Sequence, residues 1–545
     1  MNKKVTATLT RKSKHRLPFR WEWLILLIVI LVVMVIRIRL LDIPLERDEG
    51  EYAYAGQLIL QGIAPFQEVR MPGVYAAYAF IMAVFGETPA GIHTGLLFLN
   101  MGTVILLVFV GKKLFDLMTG VVAGASFAVL SLSQFVQGVF AQNEHFVILP
   151  VLGGLWLLLN ATSSNKHYAY MLSGLLFGVA FLMKQHGGVF ILFAGFYIGY
   201  TFLKKKPIIW SRFFSRSVAF SAGAIIPFAA LCGFHMLAGD FRNFWFWTFT
   251  YAFEYATSLP LETGLNLLKG RMAEMADSAI LMWCLGGIGV VALLWDEKIR
   301  PQAMFILSFF LFSILSVCPG FYFRSHYFIL IIPAVAILIG VGFSSIKRLL
   351  SNALPPVVAM VLSVCFFALT IFYCVYKERL FFFSLSPAVA CRTICGANPF
   401  PESVKIGDYI RTHSSENDRI AVIGSEPQIY FYARRLAATD LVNTYAMMEL
   451  HPYALKMQMQ MISEIETTRP KFLVIVNIAT SWLRRAGSET FLIDWVSKYA
   501  RKYYKRVGVV DIISREKTEY HWDSGAAGYS PRSRSWLGIY ERKNL

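Results

Sequence analysis

The sequence predicts a mainly α-helical membrane protein: about 11 transmembrane helices, short helices beside the membrane, and a C-terminal soluble α/β domain. Three observations predict it. Apolar residues make up 56% of the 545-residue chain and charged residues only 16%, against roughly 45–50% and about 25% in ordinary proteins. Apolar runs recur near the roughly 20 residues that cross a bilayer. The net charge of +18 is gathered in short clusters between those runs, which is how a chain marks its cytoplasmic connections. Disordered, collagen-like and disulfide-scaffold classes fail on the same figures. No helix-turn-helix, zinc-finger or RNA-binding pattern accompanies the basic residues, so nucleic acid is set aside as a partner.

In chain order, a basic leader (Lys3, Lys4, Arg11, Lys12, Lys14, Arg16, Arg20) precedes the run Trp23–Ile36, which ends in Arg37 and Arg39 without a small-residue cleavage site. That reads as an uncleaved first span with its N-terminus in the cytoplasm. Eleven spans are expected near 22–41, 92–111, 116–137, 145–161, 167–183, 187–203, 215–238, 278–295, 302–318, 327–345 and 355–376. Parity tests this count. The connections predicted inside carry Lys112–Lys113, Lys166, Lys204–Lys206 with Arg212 and Arg216, Lys298 with Arg300, and Lys347–Arg348. All of them are basic, as the positive-inside rule requires. The chain therefore divides into a transmembrane domain, 1–376, whose first outer loop is 42–91, and an outer domain, 377–545.

Within the first outer loop, Glu51–Gln61 fits an amphipathic helix lying along the membrane surface. Val74–Phe85 is too short to span and reads as re-entrant or interfacial. In the last domain Arg419–Ser425, Lys471–Asn477 and Val507–Ile513 read as strands, and Ala446–Thr467 and Phe491–Lys505 as helices. Strands alternating with helices suggest α/β architecture. Seven scattered cysteines give no disulfide framework. Cys391 and Cys395 are the one close pair outside the apolar runs, and a disulfide or two separate thiols both suit them.

The residues that could carry chemistry gather on the connections predicted outside. Glu46, Asp48, Glu49 and Glu51 place four carboxylates in six residues, a density that raises pKa values unless a cation offsets it. A solvated acidic loop would look the same. Glu144 opens a helix, where the dipole alone accounts for a carboxylate. Lys184 departs from the charge rule by lying outside; it either snorkels or binds an anion. Arg324 and His326 stand at the mouth of the tenth span, where an arginine is either an interfacial anchor or a planar fork for phosphate oxygens. Together these residues suit a reaction between a lipid-borne phosphate ester and a hydroxyl, with a carboxylate as general base and the cations on the departing phosphate. Asp48, Glu49 and Glu144 offer oxygens to a divalent cation such as Mg or Mn, although nothing in the spacing requires one. No P-loop, dinucleotide fingerprint or serine elbow is present.

Arg47-Asp48-Glu49-Gly50-Glu51-Tyr52-Ala53-Tyr54, Pro72-Gly73, Lys184-Gln185 and Arg324-Ser325-His326-Tyr327 together resemble the polytopic GT-C glycosyltransferases. Within them, the likeness is to the bacterial branch related to dolichyl-phosphate-mannose protein mannosyltransferases. Asn398–Ser403 and Gly424–Tyr432 add to it. The resemblance implies a GT-C bundle in the inner membrane with its C-terminal domain in the periplasm. It implies an inverting hexosyl- or pentosyltransferase that takes sugar from a polyprenyl-phosphate donor to a hydroxyl of an envelope glycan, lipid or protein. Asp48 would be the base, with Glu49 beside it orienting acceptor or metal. Glu51, Tyr52, Glu144, Lys184, Arg324, His326 and Tyr327 would bind substrate, Lys184 and Arg324 at the donor phosphate. A lipid-linked saccharide flippase is the alternative, but a transporter places ionisable residues at mid-membrane, and here they cluster at one face. A membrane sensor would leave the Asp48 cluster without a role.

Overall fold

The computed structural model describes residues 21–65, 71–164 and 166–543. The basic leader, Lys3 to Arg20, lies outside them. All 11 expected spans are helices: α1 (Glu22–Arg39), then, after two short helices α2 (Arg47–Leu60) and α3 (Gly73–Phe85), α4 (Pro89–Leu114), α5 (Leu117–Leu130), α6 (Asn143–Ser164), α7 (His167–Met183), α8 (Gly188–Lys204) and α9 (Trp210–Ala238). Two short helices, α10 (Phe241–Trp245) and α11 (Tyr251–Thr257), lead into α12 (Leu261–Trp295), α13 (Ala303–Val317), α14 (Ile332–Ala353) and α15 (Pro356–Lys377). Among the described residues eight helices are long and apolar enough to cross a membrane. The other three expected spans are α5 and α7, which are shorter, and α1, which carries Glu22, Arg37 and Arg39 at its ends. This is a multi-span membrane protein.

Two expectations for the connections change. The helix expected at Glu51–Gln61 starts at Arg47 and does not lie exposed on a surface: Glu49 to Leu58 are all buried. Its small residues explain this. A Cβ at Gly50 would meet the Gln428 backbone nitrogen at 2.7 Å, and one at Gly56 would meet the Ala79 nitrogen at 2.9 Å. Bare backbone on both sides therefore lets neighbouring elements close over the helix. The stretch 239–277, which the span count leaves only as an outer connection, contains α10, a π-helical turn Phe246–Thr250, α11 and the first half of the 35-residue α12. Its charges hid the helix, yet Arg271 and Glu274 pair at 2.9 Å three residues apart, as a helix allows. Ala279 breaks the helical path where the expected span begins.

After α15, helices α16 (Pro387–Cys395) and α17 (Phe400–Thr412) lead to a five-stranded sheet. Its strands are β1 (Ile420–Ile423), β2 (Phe472–Asn477), β3 (Tyr504–Ile512), β4 (Thr518–Trp522) and β5 (Trp536–Arg542), in the order β1-β2-β5-β3-β4. Only β1 and β2 run parallel; the other pairs are antiparallel. The expected helix Ala446–Thr467 is broken into Tyr445–Met448 and Ala454–Thr468. One core joins this sheet to the first loop: Tyr52, Tyr54 and Leu58 of α2 pack with Val422, Tyr430 and Val474.

The helices also fix an axis. At the start of α4, His93 touches Glu49, and Lys112 and Lys113 close its last turn, about 28 Å away at 1.5 Å per residue. Lys166 and Lys184 cap opposite ends of α7. Lys347 and Arg348 lie far along α14 from His326. The basic connections are thus at one end of the bundle, and the residues singled out for chemistry are at the other.

Candidate functional site

The site is built around the start of α2. Glu46 is its N-cap: it accepts from Glu49 N at 2.9 Å, and the Glu49 carboxylate takes the Glu46 N–H at 3.2 Å, a reciprocal capping box. Gln142 Nε2 adds a bond to Glu46 at 2.8 Å. Burial, then the charges of Asp48 and Glu49, push the Glu46 carboxyl well above its usual range. Glu49 is fully buried, and its other oxygen takes His93 Nε2 at 3.0 Å and the Ala141 N–H. Glu51 accepts from Tyr75 OH and from Asn443 Nδ2, both at 2.7 Å.

Arg47 is equally committed. It donates to Ser425 O, to Asn398 Oδ1 at 3.2 Å and to Glu426 Oε1 at 3.1 Å, and it lies 4.7 Å from the Tyr445 ring centre. This ties the start of α2 to the C-terminal domain. Asp48 is the exception. Its side chain is 39% exposed, and among the described residues it makes no hydrogen bond; His326 Nε2 lies 4.0 Å from it.

Around Asp48 stand side chains from five other elements. His326 belongs to a 3-10 turn, Ser325–Leu330, that leads into α14, and its Nδ1 is 3.2 Å from Gln137 Oε1. Gln137 sits in the left-handed region at φ 55°, just after the turn Gln134–Val136. Burial, then the charges of Lys184 and Arg324, hold the His326 imidazole well below its usual pKa, so it is neutral at neutral pH. Lys184, the extended C-cap of α7, pairs with Glu144 in the first turn of α6. Its ammonium also lies 4.0 Å over the Tyr327 ring. Tyr52 accepts from Asn143 Nδ2 at 3.1 Å, and its phenol is pushed well above its usual pKa by burial, then by Asp48, Glu51 and Glu144. Arg324 donates to Tyr255 OH at 3.2 Å. Burial pushes Tyr255 up to about 12.

Of the residues read from sequence, Asp48, Tyr52, Glu144, Lys184, Arg324, His326 and Tyr327 come together. Glu49 and Glu51 turn away from Asp48 into buried hydrogen bonds. The suggested cation ligands Asp48, Glu49 and Glu144 do not converge: both Glu49 oxygens are engaged and Glu144 holds Lys184. Among the described residues, no three His, Cys, Asp or Glu side chains could share a metal ion. Sequence reasoning missed Gln137, Tyr255 and Arg47. Nothing local marks Gln137, and Tyr255 lies in an outer connection with no expected element. Arg47, an arginine inside an acidic run, was a signal that could have been used. A small apolar cavity of about 30 Å³ is lined by Leu130, Val136, Met275, Phe328, Ile331 and Val335 among others.

Residues 69–232 match the family described as dolichyl-phosphate-mannose-protein mannosyltransferase. No curated protein sequence matches the chain. Among solved structures, ArnT from Cupriavidus metallidurans, bound to undecaprenyl phosphate, superposes with a TM-score of 0.59 at 14% identity over 95% of this chain and 98% of its own. The Archaeoglobus fulgidus oligosaccharyltransferase with a tethered acceptor peptide gives 0.51 at 11% identity over 93% of this chain and 74% of its own. The same archaeal enzyme, AglB, with an inhibitory peptide and dolichol phosphate gives 0.50 at 12% identity over 92% and 74%. The chain thus has the fold of ArnT and, more distantly, of the archaeal oligosaccharyltransferase.

Proposed function

We propose that this protein is an inverting glycosyltransferase. It moves a hexosyl or pentosyl group from a polyprenyl-phosphate donor to a hydroxyl of an envelope glycan, lipid or protein, at the periplasmic face of the inner membrane. One observation carries the proposal: of four clustered carboxylates, three are committed to buried bonds, and Asp48, 39% exposed and without a hydrogen bond among the described residues, lies beside His326 in the region that holds Lys184 and Arg324. The Asp48 carboxylate takes the proton of the acceptor hydroxyl. The acceptor oxygen forms a bond to the anomeric carbon as the bond from that carbon to the phosphate oxygen breaks. Lys184 and Arg324 offset the charge left on the departing polyprenyl phosphate. A single open carboxylate suits one displacement, whereas retention needs a second carboxylate as nucleophile. Neutral His326 and Tyr327 line the path between base and cations.

Two further observations support the reading. The basic connections lie at the far end of the bundle, which by the positive-inside rule supports a site on the outer face. ArnT was solved with undecaprenyl phosphate and AglB with dolichol phosphate, ligands of the chemistry proposed here. No step is assigned to a divalent cation, because the three candidate ligands do not fit one. The test is Asp48→Asn, which should abolish transfer while polyprenyl-phosphate binding persists; near-normal turnover overturns the proposal. Mass-spectrometric profiling of envelope glycans, lipids and glycoproteins after gene deletion identifies sugar and acceptor.

A further inference from the structure

Arg324 does not stand alone. It follows a strained turn in which Gly320, Phe321 and Phe323 have φ of 78°, 55° and 41°. Bulky residues in the left-handed region persist only when their surroundings impose it. Tyr322, at the centre of the turn, is what the surroundings grip. Its ring stacks on Tyr255 at 4.5 Å and 8°, and its hydroxyl bonds to Ser258 Oγ at 2.8 Å and receives Arg485 Nη2 at 2.9 Å. Tyr255 in turn receives Arg324.

Both ends of this arrangement are held by the C-terminal domain. Arg485 belongs to the domain itself. Tyr255 lies on the segment 241–257, which is docked on the domain. Trp247 and Tyr251 of that segment are buried against Met447, Met448 and Met457, and Tyr251 OH donates to Glu449 at 2.8 Å. The segment also receives Gln185, the neighbour of Lys184, whose side chain donates to Thr248 O at 3.2 Å.

We infer that the C-terminal domain is part of the donor-phosphate site: through Arg485 and the segment 241–257 it holds the Tyr255–Tyr322 stack that sets the position of Arg324. Arg485, Tyr322 and Tyr255 are positioning residues. The inference rests on the proposed contact of Arg324 with the donor phosphate.

The test uses full-length protein in nanodiscs, with undecaprenyl phosphate and the neutral alcohol undecaprenol as probes. Arg324→Ala sets the scale. Arg485→Ala should weaken phosphate affinity about tenfold, a coupling typical of linked sites, and leave undecaprenol binding unchanged. Arg485→Lys should recover part of the loss. In the Arg324→Ala background, Arg485→Ala should add nothing, because it acts only through that side chain. If Arg485→Ala does not fold, Tyr322→Phe keeps the stacked ring, removes the hydroxyl bonds and should give the same pattern. Should Arg324→Ala leave phosphate affinity unchanged, the reading of Arg324 falls, and the inference with it. If Arg324→Ala weakens binding while Arg485→Ala and Tyr322→Phe do not, or if their losses simply add to it, the positioning role is overturned and the phosphate contact stands.

Discussion

Glu49 and Asp48 are adjacent in sequence, and their substitution should have opposite consequences. The Glu49 carboxylate is fully buried and receives three donors: His93 Nε2, Ala141 N and Glu46 N. Glu49→Ala strands all three. With a buried donor worth about 1–3 kcal/mol and a broken buried pair about 3–5 kcal/mol, the expected loss is about 4 kcal/mol. Glu49→Gln keeps one oxygen for His93 and Ala141 but turns an amide N–H toward the Glu46 N–H. It therefore loses the reciprocal cap and the charge, about 2 kcal/mol in all. At roughly 2 °C per kcal/mol, thermal midpoints of purified protein should fall by roughly 8 °C and 4 °C. Transfer per folded Glu49→Gln molecule, measured well below the midpoint, should stay within about threefold of wild type. Asp48→Asn should show the reverse, an unchanged midpoint and no transfer. A Glu49→Gln protein that melts like wild type but does not turn over would put Glu49 at the reacting atoms and refute this division.

Arg47→Lys keeps the charge but not the fork that reaches Ser425, Asn398 and Glu426. It should cost about 2 kcal/mol and speed tryptic cleavage of the C-terminal domain; an unchanged cleavage rate would show that Arg47 does not hold the domain. His326 is neutral in the fold because burial and its cationic neighbours depress its pKa. As pH falls below about 6.5 the unfolded chain takes up a proton that the folded one does not, so stability drops by about 1.4 kcal/mol per pH unit until the folded pKa is reached. His326→Gln should remove that slope, read as the difference between the two midpoint-versus-pH curves; parallel curves would contradict it.

The spans were legible because each is a continuous apolar run, and their polarity because lysines and arginines mark alternate connections. The first half of α12 was not, since Glu262, Lys269, Arg271, Glu274 and Asp277 give it the composition of a loop. Three strands stood out as Val/Ile runs. The fifth, β5, was missed although it lies between β2 and β3: Gly538 interrupts it, and the Trp536 and Tyr540 rings cover the gap. At the site, carboxylate density marked the loop, but not which carboxylate stays exposed while the others are buried in hydrogen bonds. The partners that decide it come from 24 positions away for Tyr75 and 392 for Asn443, and local sequence holds no trace of such pairings.

The arrangement also answers a difficulty in placing a base beside two cations. Had Lys184 or Arg324 paired with Asp48, the carboxylate would be neutralised and its oxygens occupied. Each cation has another partner instead: Glu144 for Lys184 and the Tyr255 hydroxyl for Arg324. The neighbouring base, His326, is kept neutral by burial and then by the same two charges. Asp48 lies in the first turn of α2, where the helix dipole favours an anion without a counter-ion. The capping box and the buried bonds of Glu49 and Glu51 fix that turn in place. The three committed carboxylates thus hold the turn that presents the fourth, which among the described residues makes no hydrogen bond, so in the proposed reaction the whole acidic cluster contributes to a site in which only Asp48 meets substrate.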